Sequence, residues 1–259
     1  MVATLTSPIT IPYPDFPGEL ELRIQSGACR LKLAPADHDT WIAGSYVDHS
    51  GSIELTSKTE GNRVTIRVGR SPADFVGLIG GVPELTLEVS KARPFALVIE
   101  AGASESHVDL GGLPITRLQL SHGAGLAEVT FSEPNLVAMR ELKFAVGAGR
   151  TEAFKLGNAN FQTLLVEGGA ASCVLDFGGS AWQSSTARIS TAMASVELRI
   201  PPELAVEVTS EKLLGQARAE PGFVQRGNTW LSPAAAQGKP IQLWIRSSMV
   251  IGQLSLRSH

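Results

Sequence analysis

The sequence predicts an all-β chain built as a β-solenoid, and three observations carry that prediction. A nine-residue window recurs at spacings of 21, 24, 22 and 23 residues. Inside the window apolar and polar residues alternate with the period of two that belongs to a strand. Sustained 3.6-residue periodicity is nearly absent, and 26 Gly with 15 Pro punctuate the chain every few residues, which is poor ground for long helices. With such a period each repeat is one coil, and successive coils stack about 4.8 Å apart.

The window reads GASESHVDL from Gly102, GAGLAEVTF from Gly123, GAGRTEAFK from Gly147, GAASCVLDF from Gly169 and AMASVELRI from Ala192, with weaker copies at Gly27 and around Gly51. Val108, Val129, Cys173, Leu175, Val196 and Leu198 share one parity and are expected to face the core. The opposite parity holds polar residues, as a solvated face should. Gly or Ala at the first positions suits a corner where two backbones approach closely. In the Gly147 copy the apolar pair moves to Phe154 and Leu156, which predicts a one-residue bulge. A second alternating run sits between windows, as LPITRLQL at 113–120, MRELKFAV at 139–146 and NFQTLLV at 160–166.

Taken in order, residues 1–17 read as an N-terminal extension and 18–259 as a single solenoid domain. Within it, 18–95 form less regular coils, 96–202 the regular repeats, and 203–259 a capping segment followed by final strands. The cap is placed near 203–240 because LLGQA and then Pro221-Gly222 break the pattern. The alternative architecture is a β-sandwich, in which each repeat would be a hairpin pair. Leucine-rich repeats share the period but need an L-x-x-L-x-L frame that is absent here.

The 22 Lys+Arg against 25 Asp+Glu leave a net charge of -3, so nothing electrostatic points to nucleic acid. The first twenty residues carry no Lys or Arg and four prolines, unlike a secretion signal. No apolar run approaches the roughly 20 residues of a membrane span. The expected location is cytoplasmic, with a membrane-peripheral position as the second choice. Cys29 and Cys173 lie 144 residues apart. That is roughly six coils or nearly 30 Å, too far for a disulfide, so both are expected as buried, inert thiols.

Catalytic chemistry finds no footing. There is no G-x-x-x-x-G-K-[ST] or G-x-G-x-x-G loop leading into a helix, no G-x-S-x-G elbow, and no cofactor signature. Asp37, His38, Asp39, Asp48 and His49 are the weak metal candidates, on the condition that their two turns face each other. Stacking the windows aligns His107, Glu128, Glu152, Val174 and Glu197. This is an acidic ribbon with one histidine end, and so a candidate interaction face for a cation or a basic partner. Trp41, Trp182, Trp230 and Trp244 could stack on sugars, although core or end-cap positions suit them better.

The L-x-x-GAG-x-x-x-L-x-L windows, with SGACRLKLAPADHDTWIAGSYVD at 26–48, resemble the toast-rack family and the associated LiaF-like (cell-wall-active antibiotic response) and "putative adhesin" head domains of bacteria. ASVELRIPPELAVEVTSEKLLGQARAEPGFVQRGNTW at 194–230, followed by IQLWIRSSMVIGQLSLRS at 241–258, is similar to the closing segment of LiaF-like proteins. The resemblance covers most of the chain. It implies a right-handed, single-stranded β-solenoid without catalytic activity, linked in some members to sensing of envelope stress beside a membrane histidine kinase. LiaF-like regulators usually carry N-terminal membrane helices, and this sequence shows none. The expected function is a noncatalytic scaffold or protein-interaction module, with a protein partner or self-association through solenoid ends. The alternative is a carbohydrate-binding or carbohydrate-cleaving β-helix with a glycan ligand.

Overall fold

The computed structural model describes residues 5–49, 53–69, 81–180 and 182–259; the first three residues of the weaker repeat copy at 50–57 lie outside them. In chain order the elements are β1 (Leu5–Ile11), β2 (Leu20–Ala36), β3 (Ile42–Asp48), β4 (Leu55–Glu60), β5 (Arg63–Val68), β6 (Glu84–Ser90), β7 (Phe95–Asp109), β8 (Ile115–Thr130), β9 (Met139–Phe154), a 3-10 turn (Leu156–Ala159), β10 (Phe161–Asp176), β11 (Ser185–Ile200), β12 (Val206–Ala219), β13 (Val224–Arg226), β14 (Thr229–Leu231), the short helix α1 (Pro233–Ala236) and β15 (Leu243–Ser258). The long strands stack in the order β2-β7-β8-β9-β10-β11-β15-β12, every neighbouring pair parallel. A sandwich would pair its strands antiparallel, so the β-solenoid stands.

Each long strand fuses the two alternating runs seen in the sequence. In β8, Leu118, Leu120 and His122 are buried, the stretch from Gly123 to Gly125 is exposed, and Ala127 and Val129 are buried again. The inward parity changes from even to odd across the three small residues, so the strand bends there and both arms face one core. We call this bend the corner. Each coil contributes large inward side chains, among them Leu118 and Leu120 in β8, Leu142 and Phe144 in β9, and Leu164 and Val166 in β10. Each such side chain contributes about 1.5–3 kcal/mol on burial.

Several expectations need correction. The predicted bulge at the Gly147 copy is absent, because β8 and β9 pair without a break through Ala127↔Thr151 and Val129↔Ala153. Thr151 takes the inward position instead, fully buried, with its hydroxyl 2.8 Å from Nε2 of the equally buried His122. That polar pair replaces an apolar one, which is why the window looked shifted. The segment 1–17, expected as an extension, supplies β1, which pairs antiparallel with β3. In the region expected as irregular coils, β2 is a regular coil and the chain then leaves the stack. β3, β4, β5 and β6 cover the exposed edge of β2: β5 pairs with Glu21–Ser26 and β6 with Arg30–Ala36. Trp41 seals this cap, its ring stacked 5.8 Å from Tyr13 and edge-on 5.8 Å from Phe95.

At the other end LLGQA lies inside β12 and not in a cap. β12 runs on to Ala219, past residue 203 where the cap was expected to begin, and the β13–β14 hairpin and α1 follow. Ser232 anchors that turn from full burial: its hydroxyl donates to Leu204 O at 2.7 Å and accepts from Val206 N at 3.0 Å. The chain builds β12 two levels beyond β11 and then fills the gap with β15. Because β3, β4, β5 and β6 lie on the far side of β2 and not between β2 and β7, Cys29 in β2 and Cys173 in β10 are four coil steps apart and not six, roughly 19 Å at the spacing of stacked strands. Both are free and buried.

Candidate functional site: a trough along the corner

The coil registers align the windows position by position. Gly27, Gly102, Gly123, Gly147 and Gly169 form one column, flanked on the next position by Ala28, Ala103, Ala124, Ala148 and Ala170. A Cβ added to Gly102, Gly123, Gly147 or Gly169 would lie 2.5–2.7 Å from the carbonyl oxygen of the glycine one coil below. These residues do not need positive φ; they are glycine because the coils touch there, backbone to backbone. Function need not be invoked for the column itself.

The consequence for the surface is a trough of about 1040 Å³ floored by those glycines. It crosses six stacked strands, a length of roughly 24 Å. One wall is the outward column just before the corner, which holds Gln25, Glu100, Ser121, Ala145, Glu167 and Ser190. The end nearest the cap is closed by Ile53, Arg67, Val68 and Gly69. The charged groups in the wall are already partnered. Gln25 donates to Glu100 at 2.6 Å and accepts from Arg67 at 2.7 Å. Arg23 lies 3.4 Å from Glu100, and Lys143 pairs with Glu167 at 2.8 Å. Apart from Arg67, whose guanidinium rests on the Gln25 amide, the trough therefore presents small apolar side chains, hydroxyls, peptide groups and paired charges. Among the described residues no Phe, Tyr or Trp lines it.

The residues singled out from the sequence fare differently. His107, Glu128, Glu152, Val174 and Glu197 do stand in one column, but the ribbon is not a bare acidic strip. His107 lies 3.2 Å from Glu105 and 3.6 Å from Glu128. Arg150 pairs with Glu152, and Arg199 and Arg257 hold Glu197 at 2.7 and 3.0 Å. Val174 interrupts the column and is itself buried. Arginines thus neutralise Glu152 and Glu197, two of them from the same strand and Arg257 from the neighbouring coil, while Glu128 has only His107 beside it.

The metal candidates do not converge. Asp37, His38 and Asp39 precede β3 while Asp48 and His49 end it, so the two turns sit roughly 20 Å apart along an extended strand. His38 Nδ1 lies 2.7 Å from Thr40 O, and Asp48 accepts the Ile53 amide at 3.0 Å as a buried turn residue. Among the described residues no group of three or more His, Cys, Asp or Glu is placed to hold a metal ion. Trp41 and Trp182 pack against core aromatics, Trp230 is half-buried and Trp244 is exposed; none lines the trough. Among the described residues no helix is long and apolar enough to cross a membrane. The sequence reading missed the trough because its floor looked like structural punctuation, although the aligned Gly-Ala pairs were its visible trace.

Eight parallel coils, closed at the β2 end by a cap of mixed pairing, define a β-solenoid whose surface concavity follows its glycine corner. Residues 7–138 match the family described as the N-terminal domain of toast_rack, DUF2154, and the chain belongs to the toast-rack family. Solved structures similar to it include a "putative cell adhesion protein" from Clostridium sporogenes, 14% identical over 99% of this chain and 100% of that one with a TM-score of 0.48. Others are "putative adhesins" from Bacteroides fragilis (10% identical, 98% and 97% covered, TM-score 0.45) and Parabacteroides distasonis (9% identical, 98% and 97% covered, TM-score 0.45). No curated protein matches the chain.

Proposed function

We propose that this toast-rack chain is a noncatalytic protein-interaction module of the bacterial envelope-stress and adhesin head-domain kind, and that an extended segment of a partner polypeptide lies in the corner trough. The observation that carries this reading is the trough's lining. A straight, narrow concavity with exposed peptide groups, small side chains and neutralised charge suits a main chain in extended form. A glycan ligand would call for aromatic platforms, and no Phe, Tyr or Trp among the described residues lines the trough, so the carbohydrate reading has less in its favour.

The test is position-specific photocrosslinking in the source cells, with the photoreactive residue at Ala145 in the trough or at Glu128 on the ion-paired face. A discrete polypeptide adduct at Ala145 that is absent at Glu128 is expected. Equal adducts at both positions, or none at Ala145, overturns the proposal.

A further inference from the structure

The two ends of the stack are finished differently. At the β2 end further strands cover both arms, β5 on the first and β6 on the second, each parallel to β2 and backed by antiparallel strands, β4 behind β5 and β3 with β1 behind β6. At the β12 end only Glu207–Thr209 are covered, by β14, and the Ser210 amide bonds to Asn228 O at 2.9 Å. From Glu211 to Ala219 the outer edge of β12 has no strand partner among the described residues. Unpaired edge N–H and C=O groups are a template for another strand.

The side chains change at the same place. In the corner columns, where earlier coils carry glycine and alanine, the last coils carry Met193, Val250, Ile251, Leu213 and Leu214. Leu213 is 77% and Leu214 61% exposed. A contiguous exposed apolar cluster beside an open edge marks an interaction surface.

We infer that the occupant of this edge is a second copy of the chain, joined end to end about a two-fold axis. The bend dictates how. An axis along the bisector of the corner lays one bent strand on the other with its arms exchanged and its direction reversed, so the pairing is antiparallel and centred on the corner. Parity then restricts the register. Inward residues of β12 are even before the corner (Val206, Val208, Ser210) and odd after it (Ala217, Ala219), so facing residues must have numbers that sum to an odd value.

Centred between Leu214 and Gly215, Glu211 of one copy faces Arg218 of the other, twice by symmetry, and Leu214 meets its counterpart at the axis. Glu211 and Arg218 are both exposed and neither has an ion-pair partner among the described residues. Arg218 is held outward by Gln216, 2.6 Å away. A shift to the next permitted register on one side sets Glu211 against Glu220. On the other side it sets Arg218 against Thr209, which β14 already covers. One register alone matches charge in both halves, as an isologous interface requires.

The experiment is sedimentation velocity on the full chain over a dilution series, with far-UV circular dichroism and melting to confirm that each variant folds. The intact chain is expected at twice its 27.4 kDa mass when concentrated, dissociating on dilution. Glu211→Arg or Arg218→Glu alone should weaken the dimer about tenfold or more, because each creates two like-charge contacts. The double variant Glu211→Arg/Arg218→Glu should restore it, and Leu214→Lys should abolish it. A chain that stays monomeric at its highest soluble concentration overturns the inference, as does a dimer indifferent to both single reversals. Ala145→Trp, in the trough, should leave the dimer intact; its loss there would mean that copies meet through the trough and not through β12.

Discussion

The glycine column can be tested with a control built into the same column. Gly147→Ala places a Cβ 2.5 Å from the carbonyl oxygen of Gly123, whereas Gly27→Ala, at the bottom of the column, places one where no atom lies within 4 Å. Real Cβ contacts essentially never fall under 3.0 Å, so Gly147→Ala must push adjacent coils apart by at least about 0.5 Å at a point where in-register pairing continues on both sides. Both neighbours are backbone and cannot rotate away. Overpacking of this kind costs about 1–3 kcal/mol, which in a chain of this size lowers the melting temperature by roughly 2–12 °C. Gly27→Ala should be neutral or stabilising by up to about 1 kcal/mol, since alanine narrows the unfolded ensemble. Urea denaturation read by fluorescence gives both values from midpoints at a common m-value. Equal stability of the two variants would refute the reasoning, because it would show that coil contact does not select glycine at the corner.

Burial pushes the thiols of Cys29 and Cys173 up to about 12 and 11; at pH 8 a thiol-reactive dye should therefore label neither in the folded chain and both after unfolding, and a labelled native thiol would contradict the burial. His122 is held below its usual pKa by desolvation, so the unfolded chain takes up a proton near 6.5 that the folded chain refuses. Its contribution is complete above that value and declines as pH falls below it; the drop in urea midpoint between pH 7.5 and pH 5.5 should shrink in His122→Gln, and an unchanged drop would assign it to other groups. Asn135 is buried and bonds the amide and carbonyl of Ile115 at 2.9 and 2.8 Å and the carbonyl of Val137 at 2.6 Å. Asn135→Ala removes the side-chain bonds to the Ile115 amide and carbonyl and leaves Val137 O with the Asn160 side-chain amide at 3.4 Å; it should cost about 3 kcal/mol, measured by the same denaturation.

The coil was legible because stacking imposes the same demand on every repeat. Where backbones touch, only Gly or Ala fits, and where side chains enter the core, parity must hold, so the windows from Gly102 to Ala192 announced their alignment. The last two coils escaped notice because that demand relaxes at the end of the stack. Leu213 and Val250 occupy the column where the other coils carry Gly or Ala, yet β12 has no coil beyond it. The cap was illegible for the opposite reason: β1 and β3–β6 each occur once, are short, mix parallel with antiparallel pairing and repeat no window. Of the ribbon's arginine contacts, the one from Arg257 could not be foreseen, since it reaches Glu197 only after β15 is inserted beside β11, an order that chain sequence does not predict. The cysteine separation failed for a related reason, because dividing 144 residues by the repeat length counted strands that lie on the far side of β2 and not between the two cysteines.

Trough and open edge are two outcomes of one column. Through the first coils the column is glycine, the backbones touch, and the corner is hollow. At the last coils Leu213, Leu214, Val250 and Ile251 fill the corner and project from it, and they do so where β12 lacks a partner. Capped ends, charged edges or bulges normally blunt such an edge, and the β2 end shows that this chain can build a full cap. Leaving β12 bare from Glu211 to Ala219 beside large apolar side chains is therefore a departure from the chain's own practice. Had the edge only to be kept apart from other chains, polar residues at 213 and 214 would serve better than two leucines. Their presence on an open strand, with Glu211 and Arg218 placed symmetrically about the bend, is accounted for if the edge is completed by another strand of the same sequence.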